Sequence, residues 1–482
     1  MKRKRHCSVL LCVGTLVYCV SAACGGGVDG DTPVDPNGVC PSPWRAYPYE
    51  PAGTDIRFPI DEGAHYPDDL SVTMEWWYTI YHLTTSEGRE FSVMSSFFMP
   101  QLDIGYRPFN ITDVQTGQMF DSDEWGTLVS QTGHLEMEWT SEVEGEPNSW
   151  FRTRSDRRGE LVPFGYEQQL YHHAPETGHT QALHLLVDAV KSPYLVAGDG
   201  LITIGNSGDS YYYSLTHLEV SGELELAGEV FRVTGYGWMD HQWGPFMLSP
   251  LSLSLNSYEW MALHLDNGDQ YMVSTLFDAE NRTHREEGFG SIGWKLHDCT
   301  QGITLDHTIE RLAYWQQPET GRYYSHRWHI VVPDTGLDVI LEPAIEDQTV
   351  EFFHTSFYEG RSVISGTLDG EPISGLAFAE MVHHYAEPEV QILSPTADAT
   401  GSAGTPLAVF WTVTNPDDGL PLTFAVTADD GAGGVASCSA PVQSPCDLDL
   451  AGLAGPVTVQ VFASSVDGVI SGQQSLSLNV LP

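Results

Sequence analysis

Between residues 45 and 386, apolar and polar positions alternate with a period of two. Segments such as MEWWYTIYHL from Met74, FSVMSSFF from Phe91, QALHLLVDAV from Gln181 and LDVILEP from Leu337 are bounded by turn-forming residues. That period is the mark of half-buried strands, and no long 3.6-residue apolar period competes with it. The stretch therefore predicts an all-β barrel or sandwich. After Tyr385 the pattern shortens. Residues 387–482 hold small apolar runs (AVFWTVT, LTFAVTA, VTVQVFAS, SLSLNV) between Gly, Pro, Asp and Ser, with no Lys, Arg, His or Tyr and with Trp411 as the one tryptophan. A small immunoglobulin-like β-sandwich is expected there.

The first residues read differently. Lys2, Arg3, Lys4 and Arg5 precede an apolar run from Val9 to Val20 that ends in small residues. This is the layout of a signal peptide over residues 1–23, too short for a stable transmembrane helix. VSAAC followed by GGG reads as a lipoprotein-type cleavage site with Cys24 as the acylated residue. The protein is then expected to be exported and held at a membrane surface, or else simply secreted after cleavage near Ala23. Residues 24–44, rich in Gly, Pro and Asp, form a flexible tether.

Two ungapped similarities divide the remainder. GREFSVMSSF (88–97) matches GDQYMVSTLF (268–277), each preceded by a Glu-Trp strand at Glu75 and Glu259. VTGYGWMD (233–240) matches ISGLAFAE (373–380), setting Gly235 against Gly375, Trp238 against Phe378 and Asp240 against Glu380. Two pairs in the same order indicate a tandem duplication. The expected units are 45–245 and 246–386, each a closed or nearly closed barrel able to enclose an apolar ligand.

Charge and cysteine content narrow the function. The chain carries 21 basic and 65 acidic residues, and four of the basic ones lie in the leader. Such a surface repels phosphate backbones, so no nucleic-acid partner is expected. Cys438 and Cys446 lie eight apart and are expected to pair in an oxidising compartment. Cys40 and Cys299 could pair, but spacing does not decide it. No CxxC spacing, GxSxG elbow or phosphate-binding glycine loop is present, and neither metal nor organic cofactor is expected. His172, His173, His179 and His184 fall in and around HHAPETGH, read as a polar loop. His383 and His384 read as exposed or interfacial.

The candidate chemistry sits in GWMDHQWGP. On a regular strand Trp238 and Asp240 share one face, while His241 and Trp243 share the other. A carboxylate desolvated beside indole rings holds its proton towards neutrality and could protonate an alkene or carbonyl, with indole faces stabilising the cation. Alternatively Asp240, like its counterpart Glu380, only locks a junction through hydrogen bonds. In EWWY, Glu75 and Trp77 point one way and Trp76 and Tyr78 the other. Twelve of the 13 tryptophans precede residue 387, which favours a large apolar pocket. Glu75, Trp76, Trp77, Tyr78, Trp238, Glu259 and Glu380 are its expected walls.

Taken together, MEWWYTIYHLTTSEGREFSVMSSFF, GDSYYYSLTHLEVSGEL, VTGYGWMDHQWGPF and FYEGRSVISGTLDGEPISGLAFAE resemble the CrtC/AttH-like lipocalin family over about residues 70–385. The resemblance implies two consecutive lipocalin-like barrels and a terpenoid-, lipid- or polyketide-like ligand. In hydratase-type members it implies a catalytic group at Asp240, His241 and Trp243, with Glu75, Trp77 and Tyr258 as neighbours. The leader and the appended tail make the secreted AttH-type branch the nearer likeness. Two functions follow: acid-catalysed hydration, isomerisation or cyclisation of an apolar substrate, or carriage or sensing of such a ligand at the cell envelope. A secreted hydrolase ranks last, for want of a nucleophile. Ligand and oligomeric state stay open.

Overall fold

Strands form wherever the apolar–polar alternation runs. The computed structural model describes residue 40 and residues 43–482, apart from residues 67, 100–103, 142, 144, 175–176, 204–207, 246–256, 279–280, 286–287, 353–354, 415–419 and 440–441. The leader, Cys24 and the tether as far as residue 39 lie outside the described residues. Among the described residues, no helix is long and apolar enough to cross a membrane.

The first unit comprises β1 (Met74–Thr85), β2 (Glu90–Met99), β3 (Ile104–Asp113), β4 (Gln118–Ser130), β5 (Glu136–Thr140), β6 (Ser149–Ser155), β7 (Leu161–Ala174), β8 (His179–Ala189), β9 (Tyr194–Leu195), β10 (Leu201–Thr203), β11 (Asp209–Leu226) and β12 (Glu229–Gly244). Strands β1 to β8 pair in order, β8 pairs with β11, β11 with β12, and β12 returns to β1. Ten antiparallel strands thus close on themselves, leaving no free edge in the ring. Trp77, Tyr81, Phe97, Trp139, Tyr166 and Tyr213 are all fully buried in its interior. Each such side chain stabilises the fold by roughly 1.5–3 kcal/mol. Together they fill the space where the sequence led one to expect a ligand. The HHAPETGH stretch is not all polar loop: His172 and His173 lie in β7, which ends at Ala174, and His179 opens β8.

The second unit comprises β13 (Ser257–Leu265), β14 (Gln270–Phe277), β15 (Thr283–His284), β16 (Ile292–Lys295), β17 (Gln301–Thr304), β18 (Thr308–Gln316), β19 (Tyr323–Val332), β20 (Leu337–Pro343), β21 (Thr349–Phe352), β22 (Thr355–Leu368) and β23 (Glu371–Met381). Its sheet runs β17-β16-β14-β13-β23-β22-β20-β19-β18 around a core that includes Leu263, Tyr271, Trp328 and Val339. The end strands β17 and β18 follow one another in the chain, yet no ladder joins them among the described residues, so the unit is curled but open. His383, just beyond β23, is buried and stacks on Phe277 at 3.6 Å, whereas His384 is exposed.

The duplication is visible in the pairing, with a shift. Leu83, opposite Phe91 on β2, faces Gly235 on β12. Leu263, opposite Tyr271 on β14, faces Ala377, and Gly375 instead faces Leu265. The closing strands of the two units therefore differ in register by two residues. An even shift keeps every side chain on its face, so Asp240 and Glu380 stay equivalent in direction. The glycines match for a steric reason: a Cβ on Gly235 would lie 2.0 Å from the His82 carbonyl oxygen, and one on Gly375 would lie 2.1 Å from that of His264.

Residues 389–481 form two facing sheets of three and five strands over a shared core that includes Val409, Trp411, Val426, Leu448 and Val459. Cys438 is bonded to Cys446, and Cys40 to Cys299, a span of 259 residues. A cross-link over so long a loop removes much freedom from the unfolded chain. Replacing Cys40 and Cys299 together by Ser is expected to cost about 2–4 kcal/mol, measured by urea unfolding in non-reducing buffer.

Candidate functional site

Strand β12 separates the residues that the sequence groups together. Its inner face carries His241 and Trp243 into the first barrel, opposite Trp77 and Glu75 of β1. Its outer face carries Trp238, Asp240 and Gln242 towards the second unit. Residues directly opposite on neighbouring strands share a face. Tyr78 of β1 and Ser214 of β11 both stand opposite Asp240 and face outward with it.

The outer face of the first barrel meets the second unit along an apolar seam that includes Ile80, Met94, Trp238, Trp260 and Phe378. Within this seam lies a cavity, part of it open to solvent. Trp76, Phe98, Trp260, Phe289 and Phe357 are among its apolar walls, and Asp240, Glu359 and Glu380 are its carboxylates.

Each carboxylate has a tyrosine partner. Tyr212 donates to Asp240 Oδ2 at 2.7 Å, Tyr78 to Glu359 at 2.8 Å and Tyr258 to Glu380 at 2.5 Å. Asp240 also accepts from Ser214 at 2.5 Å and Trp238 Nε1 at 2.6 Å. Glu359 of β22 and Glu380 of β23 stand directly opposite one another. Two facing carboxylates in an apolar setting cannot both ionise cheaply, so the pair holds a proton. Burial and the charge of Glu380 push Glu359 well above the usual carboxylate range, against the pull of its Tyr78 hydrogen bond. Burial raises Glu380 to about 7 against its Tyr258 hydrogen bond, helped by the charge of Asp240. Burial also raises Asp240, but its three donors hold it to about 6.

Stability carries the same signature. Between 4.5 and about 7 the folded chain keeps a proton on Glu380 that the unfolded chain releases. Stability from this group therefore falls as pH rises through that window. Glu380→Gln is expected to shrink the loss between pH 5 and pH 8 by about 1–3 kcal/mol, read from urea midpoints at the two pH values.

Of the residues expected at the pocket, Trp76, Tyr78, Tyr258, Asp240 and Glu380 line the cavity, and Trp238 braces Asp240 from the same face. Glu75, Trp77, His241 and Trp243 are buried behind the strand, on the inner face of the first barrel. Glu259 lies within the second unit, bound to Arg311, Ser325 and Tyr385. Strand alternation is the reason in each case. Glu359 and Tyr212 complete the site without having been singled out. The run YYY at 211–213 was the available hint for Tyr212, and Glu359 gains meaning only from the pairing of β22 with β23.

The inner face has its own polar cluster. Glu75 Oε1 lies 2.7 Å from His65 Nδ1 and 2.9 Å from His241 Nε2. His65 stacks on Trp243 at 4.3 Å and His241 on Trp77 at 4.5 Å.

The AttH-like family profile matches residues 49–385. Among solved structures, a putative AttH from Nitrosomonas europaea superposes with TM-score 0.55 at 20% identity, covering 70% of this chain and 98% of that one. Kievitone hydratase from Nectria haematococca superposes with TM-score 0.52 at 17% identity, covering 69% of this chain and 94% of that one. At these identities the two likenesses speak for the fold. No curated protein matches the chain.

Proposed function

The chain belongs to the AttH-like family, a lipocalin-type β fold, and on that premise we propose that it hydrates an apolar, unsaturated ligand by acid catalysis in the cavity between its two units. The observation that carries this reading is the facing pair Glu359 and Glu380, tyrosine-bonded carboxylates able to hold a proton beside indole rings. The likeness to a protein named as a hydratase supports the same reaction class.

The proton of the pair passes to one alkene carbon, and the π electrons form the new C–H bond. Positive charge develops on the other carbon, where the faces of Trp76 and Trp260 and the anionic Asp240 stabilise it. Water adds to that carbon and returns a proton to the ionised pair, so the sum is alkene plus water giving alcohol. Gln242 Nε2 and Trp260 Nε1 are buried without a partner among the described residues, and both residues line the cavity. Such donors suit the attacking water and an acceptor oxygen on the ligand.

Export belongs to the same proposal. Beyond the leader, two disulfides support a working place in an oxidising compartment. The test is incubation of the purified protein with unsaturated terpenoid and prenylated aromatic compounds in oxygen-18 water. An alcohol carrying one labelled oxygen is expected. A ligand that occupies the cavity and is recovered unaltered overturns the hydratase reading in favour of a carrier.

A further inference from the structure

We infer that His65, Glu75 and His241 form a binding site for a divalent transition-metal ion of the zinc class, inside the first barrel and separate from the cavity.

The three residues come from different elements. His65 lies in the segment before β1, Glu75 on β1 and His241 on β12. Their ligating atoms all lie within 4.8 Å of one another. Glu75 and His241 are fully buried, and the His65 side chain is 17% exposed, which leaves an approach from solvent.

Hydrogen-bond roles show why a cation fits. His241 Nδ1 lies 3.0 Å from the Asp61 carbonyl oxygen, which can only accept, so Nδ1 carries the hydrogen. In the neutral ring Nε2 then presents a bare lone pair, and it points at Glu75 Oε1. His65 Nδ1 converges on the same oxygen. His65 Nε2 faces Asp61 Oδ1 at 3.2 Å, another acceptor. With neutral rings, Nε2 of His241 faces Glu75 Oε1 without a hydrogen, and His65 has one hydrogen for its two carboxylate contacts; a dication among the three ligating atoms satisfies the lone pairs left over.

The supporting contacts match how metal-binding imidazoles are held. A backbone carbonyl fixes the His241 tautomer and leaves Nε2 for the metal. The His65 backbone N–H donates to Glu75 Oε2 at 3.0 Å, turning Oε1 inward. Trp77 and Trp243 clamp the two rings. Two imidazoles and one carboxylate suit zinc and its first-row neighbours, with room for water as a further ligand. Metal–ligand bonds of about 2.0–2.2 Å at tetrahedral angles place donor atoms roughly 3.4 Å apart. The contacts to Glu75, 2.7 Å from His65 and 2.9 Å from His241, therefore open by roughly 0.7 and 0.5 Å, the first through movement of the partly exposed His65 and the second through a turn of the Glu75 carboxylate.

Such an ion would pin the segment around residues 61–75 to β12, whose opposite face presents Asp240 to the cavity. The site rests on none of the proposed hydration chemistry.

The full exported chain, stripped with chelator and dialysed, is titrated with Zn²⁺ by calorimetry and with Co²⁺ by visible absorption. One equivalent of uptake, a visible d–d band and a rise in melting temperature are expected. His65→Ala, at a partly exposed position, is expected to weaken uptake at least about 100-fold while the protein stays folded, and His329→Ala, at the surface, leaves it unchanged. Should His65→Ala not fold, nitrogen-15 NMR of the unaltered protein decides. Both rings doubly protonated in excess Zn²⁺ means protons occupy the site and overturns the inference. Uptake equal in His65→Ala, or no d–d band with Co²⁺, overturns it as well.

Discussion

Glu359→Gln and Glu380→Gln are each expected to lower the hydration rate about 10²- to 10⁴-fold, the usual contribution of a placed general acid. Neither change is expected to abolish folding, because an amide in place of a protonated carboxyl keeps size and hydrogen-bonding capacity. In the unaltered protein, turnover is expected to fall on the alkaline side as the pair gives up its protons, with Glu380 losing its own at about 7 and Glu359 held above its usual range. In each glutamine variant this high-pH limb should change position, because one buried glutamate remains to titrate. Asp240→Asn serves as the contrast. Three donors bind Asp240, so its loss disturbs the cavity wall and lowers turnover, while the high-pH limb stays but moves to lower pH because the Asp240 charge no longer raises Glu380. Rate–pH profiles of the three variants on one product-forming substrate check this. Unchanged turnover in both glutamate variants would sink the assignment of the acid.

The second large effect is structural. Arg311→Met is expected to destabilise the protein by about 3–5 kcal/mol, because it strands the buried charge of Glu259. Arg311 donates to Glu259 through Nε at 2.9 Å and Nη2 at 2.5 Å, and both side chains are almost wholly buried. Despite burial, the Arg311 charge and its hydrogen bonds hold Glu259 below the usual carboxylate range. Without Arg311 that stabilising influence is gone and burial dominates. The variant should therefore regain stability on acidification, as Glu259 takes up a proton. Adding Glu259→Gln should restore a large part of the loss, since the stranded charge disappears. Urea unfolding of the two single variants and the double variant measures the coupling.

Much of this was legible in the alternation of side chains. Period-two patterning gave the strands, and the split of Trp238 and Asp240 from His241 and Trp243 followed from it directly. What alternation does not encode is which face meets another unit. In an isolated barrel the outward face of β12 would be wet, and the inner face would be the natural place for a ligand. Here aromatic side chains fill the interior and the second unit covers the outer face, so the cavity lies outside both sheets. The repeat hinted at this, because Asp240 and Glu380 are equivalent strand positions that meet across one seam. Glu359 could not be found in the same way. It sits in FYEGRS without a distinguishing pattern, and its role arises from standing opposite Glu380. The partners of Glu75 were hidden for a similar reason, since His65 precedes the strand in an irregular segment.

The bond between Cys40 and Cys299 has a mechanical consequence. Residues 41–298, which include the whole first barrel and several walls of the cavity, lie inside the covalent loop it closes. A pull on the chain from its N-terminal side travels through the sulfur–sulfur bridge into the second unit and bypasses that loop. Tension of this kind loads Cys299 and the strands after it, while the ten-stranded ring remains slack. A protein tethered by its leading end could thus be tugged by flow or by a neighbouring surface without its first barrel being drawn open.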